Sequence, residues 1–319
     1  MKKTRWRAAA AVASALVLTL VAPAAAQAAL ATGGKFLGNV IHAPHVPSSY
    51  AALWNQVTPE NHAKWALVEP TRDSPQWGPL DGIYDYAASQ GMPVRYHTLV
   101  WGSDVPAWLA ALPPEEQRAE VEEWIAEAGA RYDTRTAVVD VVNEPLHAPP
   151  AYAASLGGAG STGYDWVIWA FERARAAFPH AQLALNEYDV LSDVTLARRY
   201  ADLVGLLKAR GLIDVVGVQA HFLDQVKTSS IKAGLAEVAK TGLPVHVTEL
   251  DIEGTDRGQL KQYQEKFPVL WTHPAVRGVT LWGYEEGRIW ARRGHLVRAD
   301  GSERPALSWL RSYLTSAGA

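Results

Sequence analysis

A (β/α)₈ barrel, a TIM barrel of one domain, is the fold this sequence predicts, and two observations carry the prediction. From Gly38 onward, eight short apolar, β-branched runs alternate with seven longer stretches of helical periodicity over about 280 residues. The runs are continuously apolar rather than alternating with polar residues, as expected of parallel strands covered on both faces. Strand and helix in strict alternation over that length describe one barrel, a fold that commonly needs about 250 residues. A doubly wound open sheet is the alternative. Its nucleotide-binding form is disfavoured because Asn39-Val40-Ile41-His42 leads into Pro44, with no glycine-rich phosphate loop.

In chain order the predicted strands are Gly38–Ile41, a short run near Val57, Val94–Trp101, Ala137–Asn143, Leu183–Glu187, Val215–His221, Val245–Leu250 and Gly278–Trp282. Helices are predicted at Leu80–Gln90, Glu115–Arg131, Tyr164–Phe178, Ser192–Arg210, Ser230–Lys240, Asp256–Phe267 and Pro305–Leu314. The second is the best marked. Pro113-Pro114 open it, Glu115 and Glu116 occupy its first turn, and Val121, Trp124, Ile125 and Ala128 recur at helical spacing. Pro179 stops the third, and the glycine-rich Leu156–Gly163 reads as a loop rather than a domain boundary.

Composition narrows the function. The 319 residues are 48% hydrophobic and 20% charged, an ordinary globular balance that argues against disorder and coiled coil. There are no cysteines, which excludes disulfides, thiol nucleophiles and Cys-ligated zinc. The first 28 residues have the pattern of an export signal: Lys2, Lys3, Arg5 and Arg7, an apolar run from Ala8 to Ala22, then two A-x-A sites ending at Ala26 and Ala28. An apolar run of about 15 residues is short for a membrane span of about 20. The expected mature protein is therefore residues 29–319, secreted and extracellular, free of the membrane and a monomer. Losing four bases leaves 26 against 33 acids, a net charge of −7 that argues against nucleic acid as a partner. Thirteen Trp against five Phe suits sugar faces as well as core packing.

In a barrel, residues at the C-terminal ends of strands face the active-site mouth. That rule selects Asn143-Glu144 after Val138–Val142 and Glu249-Leu250-Asp251 after Val245–Thr248. It also selects Gln219 and His221 on the sixth strand, His97 and Trp101 on the third, and Trp282 on the eighth. A carboxylate that ends an apolar strand loses hydration, so two at matching places call for a reason. One reading pairs each with a loop Arg or Lys. The chemical reading is a two-carboxylate glycosidase, with one group donating a proton to the leaving oxygen and the other attacking the anomeric carbon.

These residues resemble glycoside hydrolase family 10. The resemblance lies in Val57-Thr58-Pro59-Glu60-Asn61 with Lys64-Trp65, in His97-Thr98-Leu99-Val100-Trp101 and in Asp140-Val141-Val142-Asn143-Glu144. It continues through Val218-Gln219-Ala220-His221, Thr248-Glu249-Leu250-Asp251 and Trp282-Gly283, spanning about Gly38 to Leu310 in order. It implies a secreted β-1,4-xylanase that retains anomeric configuration, needs no cofactor or metal, and takes xylan or its oligosaccharides as substrate. By the same resemblance Glu144 is the acid/base, Glu249 the nucleophile, and Asn143 a donor to the sugar 2-hydroxyl. His221, held by Asp251, orients Glu249. Glu60, Asn61 and Lys64 grip sugar on the non-reducing side, Lys64 and His97 reach the hydroxyls beside the scissile bond, and Trp101, Trp282 and Trp290 wall that subsite.

The pattern departs from the family in three places, one of which, His62-Ala63 in place of the usual Glu-Met between Asn61 and Lys64, is away from the sugar-gripping positions. Gly102-Ser103-Asp104 stands where His-Ser-Gln usually follows the tryptophan, and losing the imidazole is expected to open space on the glycone side. The segment Pro145-Leu146-His147-Ala148-Pro149-Pro150 after Glu144 also differs from many xylanases, which bears on the aglycone. Three other functions remain to be weighed: a retaining β-glycosidase for another β-linked glucan or glycoconjugate, an inactive sugar-binding barrel, and a metallohydrolase using His42 and His45. The paired glutamates argue against the second, and the position of Pro44 between the two histidines argues against the third.

Overall fold

The computed structural model describes residues 30–31 and 34–316; the predicted signal segment and residues 317–319 lie outside them. The eight strands are β1 (Phe36–Ile41), β2 (Gln56–Pro59), β3 (Arg95–Val100), β4 (Val138–Asn143), β5 (Gln182–Glu187), β6 (Val215–Val218), β7 (Val245–Leu250) and β8 (Val276–Leu281). They pair in parallel in the order β2-β1-β8-β7-β6-β5-β4-β3. The ring closes between β2 and β3 through the single bridge Val57–Val94, with the Val57 amide donating to the Pro93 carbonyl at 3.0 Å. This is the predicted (β/α)₈ barrel. Among the described residues no helix is long and apolar enough to cross a membrane.

Each long helix follows its sequence signal. After the short helices α1 (Tyr50–Leu53) and α2 (Trp65–Val68) come α3 (Gly78–Ser89), α4 (Pro114–Tyr132), α5 (Asp165–Ala177), α6 (Val194–Lys208), α7 (Thr228–Ala239), α8 (Asp256–Trp271) and α9 (Pro305–Ser316). Asp193 caps α6 by accepting the amides of Thr195 at 2.7 Å and Leu196 at 3.2 Å, satisfying donors that no helical carbonyl can reach. The expected end of α8 at Phe267 is overrun by one turn. Pro268 lacks an N–H and costs a helix interior about 3 kcal/mol. Continuing buries Leu270 and Trp271, each worth about 1.5–3 kcal/mol, with Trp271 stacked on Phe267 at 5.5 Å.

β6 is shorter than expected. Regular strand ends at Val218, and the chain then passes through left-handed backbone at Ala220 (φ 68°) and Phe222 (φ 48°). The apolar run made Val215–His221 look continuous, but Gln219 and His221 are carried on a turn beyond the strand. The tryptophans divide by role. Trp101, Trp282 and Trp290 border the central cavity. Others pack the shell, most visibly a stack in which Trp124 lies between Trp65 and Trp77 at 5.7 and 5.4 Å.

Candidate active site

The strand tips surround one cavity of about 690 Å³, and Glu144 and Glu249 both line it. Glu249 is the last-but-one residue of β7 and is almost wholly buried. Its Oε1 accepts from Asn186 Nδ2 at 2.6 Å, and its Oε2 lies 3.1 Å from His221 Nε2. His221 Nδ1 lies 2.6 Å from Asp251 Oδ2, which also accepts from Trp290 Nε1 at 3.0 Å. With a carboxylate at each ring nitrogen, the imidazole is held as imidazolium. Burial alone would lower its pKa, but Asp251 and Glu249 raise it to about 10. The imidazole acts in turn on Glu249: burial would raise its pKa, but the charge of His97 and the hydrogen bond and charge of His221 bring it below the ordinary value.

Glu144 follows β4 with φ 56°, a left-handed conformation that is uncommon for a residue with a side chain. The conformation is held by neighbours. The Glu144 amide donates to Asn186 O at 2.8 Å, and its carbonyl accepts from Ala148 N at 2.8 Å and His147 N at 3.2 Å. Its carboxyl takes one neutral donor on each oxygen: Gln219 Nε2 on Oε1 at 2.9 Å and Trp101 Nε1 on Oε2 at 2.8 Å.

Three amides join the two carboxyls. Gln219 Nε2 reaches Asn143 Oδ1 at 3.3 Å as well as Glu144, and Asn186 Nδ2 reaches the same Asn143 oxygen at 2.8 Å as well as Glu249. The linked carboxylate oxygens are therefore no more than four hydrogen-bond lengths apart, and both glutamates line the same pocket. Because the Asn143 oxygen is doubly engaged, its Nδ2 remains as a donor at the cavity wall.

Most of the predicted residues meet here. Glu60, Lys64, His97, Trp101, Asn143, Gln219, His221, Trp282 and Trp290 all line the cavity. Two stand behind it: Asn61 accepts from Lys64 Nζ at 3.0 Å, and Asp251 backs His221. Lys64 also lies 3.4 Å from Asp104 and 4.9 Å from the Trp101 ring centre. Glu60 has its pKa raised to about 7: burial and the charge of Glu249 push it up, against Lys64. His97 is fixed by Asp140 at 3.0 Å, which Arg95 in turn holds. His42 turns to Glu60 and His45 to Glu285, so the two histidines serve separate carboxylates.

One expectation is corrected. Position 102 opens no space, because a Cβ there would stand 2.3 Å from the Ala148 carbonyl oxygen and 2.8 Å from that of Pro149. The turn after Glu144 fills the gap. Sequence reasoning also missed Asn186, fully buried at the tip of β5 and bonded to both Asn143 and Glu249. The signal was there, a polar residue closing the apolar run Leu183-Ala184-Leu185.

The family model described as "Glycosyl hydrolase family 10" matches residues 23–313. The chain belongs to glycosyl hydrolase family 10. Family membership makes it a glycoside hydrolase related to the endo-1,4-β-xylanases. Endo-1,4-beta-xylanase B of Cellvibrio japonicus is 40% identical over 86% of this chain, and the match spans 45% of that relative's length. Beta-1,4-xylanase of Dictyoglomus thermophilum is 31% identical over 74% of this chain and 73% of its own. The solved structure of GH10 from Paenibacillus barcinonensis superposes with a TM-score of 0.80 at 26% identity, covering 88% of this chain and 95% of that one.

Proposed function

We propose that this family 10 protein cleaves internal β-1,4-xylosidic bonds of xylan with retention of configuration, and that residues 1–28 direct its export before removal. The observation that carries the reading is the unequal setting of two glutamates on one cavity. Glu249, kept ionised by the imidazolium of His221, attacks the anomeric carbon. Glu144 gives its proton to the departing oxygen, and a glycosyl ester on Glu249 results. Glu144, now a carboxylate, takes a proton from water as that water attacks the same carbon, releasing Glu249 and the sugar. Asn143 Nδ2 donates to the 2-hydroxyl, a bond that strengthens as the ring flattens. Glu60, Lys64 and His97 hold glycone hydroxyls against Trp101, Trp282 and Trp290.

The test is a product profile with anomeric configuration followed by NMR. Xylan should yield short xylo-oligosaccharides first released as the β-anomer, with mixed-linkage glucan cut far more slowly. Faster cleavage of the glucan would move the substrate to another β-linked glycan, and first release of the α-anomer would remove the double displacement.

A further inference from the structure

The turn that carries Glu144 is docked on the strand end that carries Trp101 by a contact only glycine permits. The Gly102 amide donates to Ala148 O at 3.0 Å, Ala148 N donates to Glu144 O at 2.8 Å, and Trp101 Nε1 donates to Glu144 Oε2 at 2.8 Å. These bonds form a closed circuit through two adjacent residues of one strand end and both ends of one turn. On the far side the turn is pinned to β5, where the buried Glu187 carboxylate accepts from Leu146 N at 2.8 Å and meets His147 Nδ1 at 2.8 Å. Gly102 has no left-handed backbone to explain its identity. Space alone explains it, since the atoms a Cβ would meet are backbone and cannot swing away.

We propose that Gly102 is a positioning residue: its bare α-carbon lets this turn seat against Trp101, and that seating aims the Glu144 carboxyl at the leaving-group oxygen. The inference rests on the reading of Glu144 as acid/base. Any side chain at position 102 pushes the turn outward by roughly an ångström, and a displacement of that size at a reacting group costs on the order of 100-fold in rate. The loss falls on proton donation and leaves nucleophilic attack by Glu249 in place.

The test compares G102A, G102H and E144A with the unaltered full chain. The substrates are xylotetraose, whose leaving group needs a proton, and 2,4-dinitrophenyl β-xylobioside, whose leaving group does not. For the Gly102 variants kcat/KM on xylotetraose should fall by ~10- to 100-fold while the aryl substrate stays within about threefold. In E144A, where no carboxylate remains to repel the anion, azide should raise kcat on the aryl substrate and give the β-azide. Equal loss on both substrates, or loss on neither, overturns the proposal. If E144A itself shows no selective loss, the acid/base reading fails; if E144A shows it and G102A does not, only the role of Gly102 fails. Should the glycine variants not fold, P149G loosens the same turn from its other side. It must then show the same selective loss, and equal or no loss overturns the proposal.

Discussion

Glu144 and Glu249 are the same residue type on the wall of one cavity, yet the chain holds them by different means. Glu249 sits within a strand, and its partners, Asn186 and His221, are fastened in turn to Thr248 and Asp251. One of those partners carries a positive charge. Glu144 lies beyond its strand, in left-handed backbone, with neutral N–H donors on its carboxyl oxygens. The difference teaches that a charge which must persist is built into the sheet. The carboxyl proposed to pass a proton back and forth is held on a turn.

Substitution of each glutamate breaks the comparison most sharply. Glu249→Ala is expected to lower kcat by ~10⁴- to 10⁶-fold on every substrate, as loss of a nucleophile does. Glu144→Ala is expected to lose ~10²- to 10⁴-fold in kcat/KM on poor leaving groups alone, with kcat on good leaving groups limited by hydrolysis of the glycosyl ester. Steady-state rates on xylotetraose and the dinitrophenyl xylobioside separate the two, and matching profiles would erase the assigned asymmetry. Asn186→Ala tests the shared support next. Removing a preorganised donor to a charged centre costs about 10²-fold in kcat, and here the loss should appear on both leaving-group classes. A loss confined to one class would assign Asn186 to one glutamate only.

The smallest effect concerns stability. The folded chain keeps a proton on His221 up to a pH of about 10, whereas an unfolded imidazole releases it near 6.5. The contribution is therefore complete below 6.5 and drains as pH rises to about 10, with a slope of ~1.4 kcal/mol per pH unit. His221→Asn should flatten urea-derived unfolding free energies over that window by about this slope. An unchanged slope would mean that the charge beside Glu249 does not come from His221.

Much of this was legible in the sequence because barrel geometry turns one-dimensional position into depth. A polar residue that closes an apolar run must reach the mouth, and Asn143, Glu144, Gln219, His221 and Glu249 all do. Asn186 obeys the same rule but lies outside the motifs that carry the family resemblance, which single out Asn143 and Gln219. The end of β6 was overrun because the two left-handed residues, Ala220 and Phe222, leave no mark in composition. Gly102 was misread for a related reason. A missing side chain looks like vacancy until the segment that occupies the place is seen, and that segment lies more than forty residues away in sequence.

The closure of the barrel has its own consequence. Seven joints between neighbouring strands are full ladders, and the eighth, between β2 and β3, hangs on Val57 and Val94. Glu60 and Lys64 lie beyond β2, His97 is in β3 and Trp101 just past it, while Glu144 follows β4 and Glu249 lies in β7. When the cylinder breathes, the seam gives first. That seam lies beside Glu60, Lys64, His97 and Trp101, whereas the strands that lead to Glu144 and Glu249 are each paired along both edges.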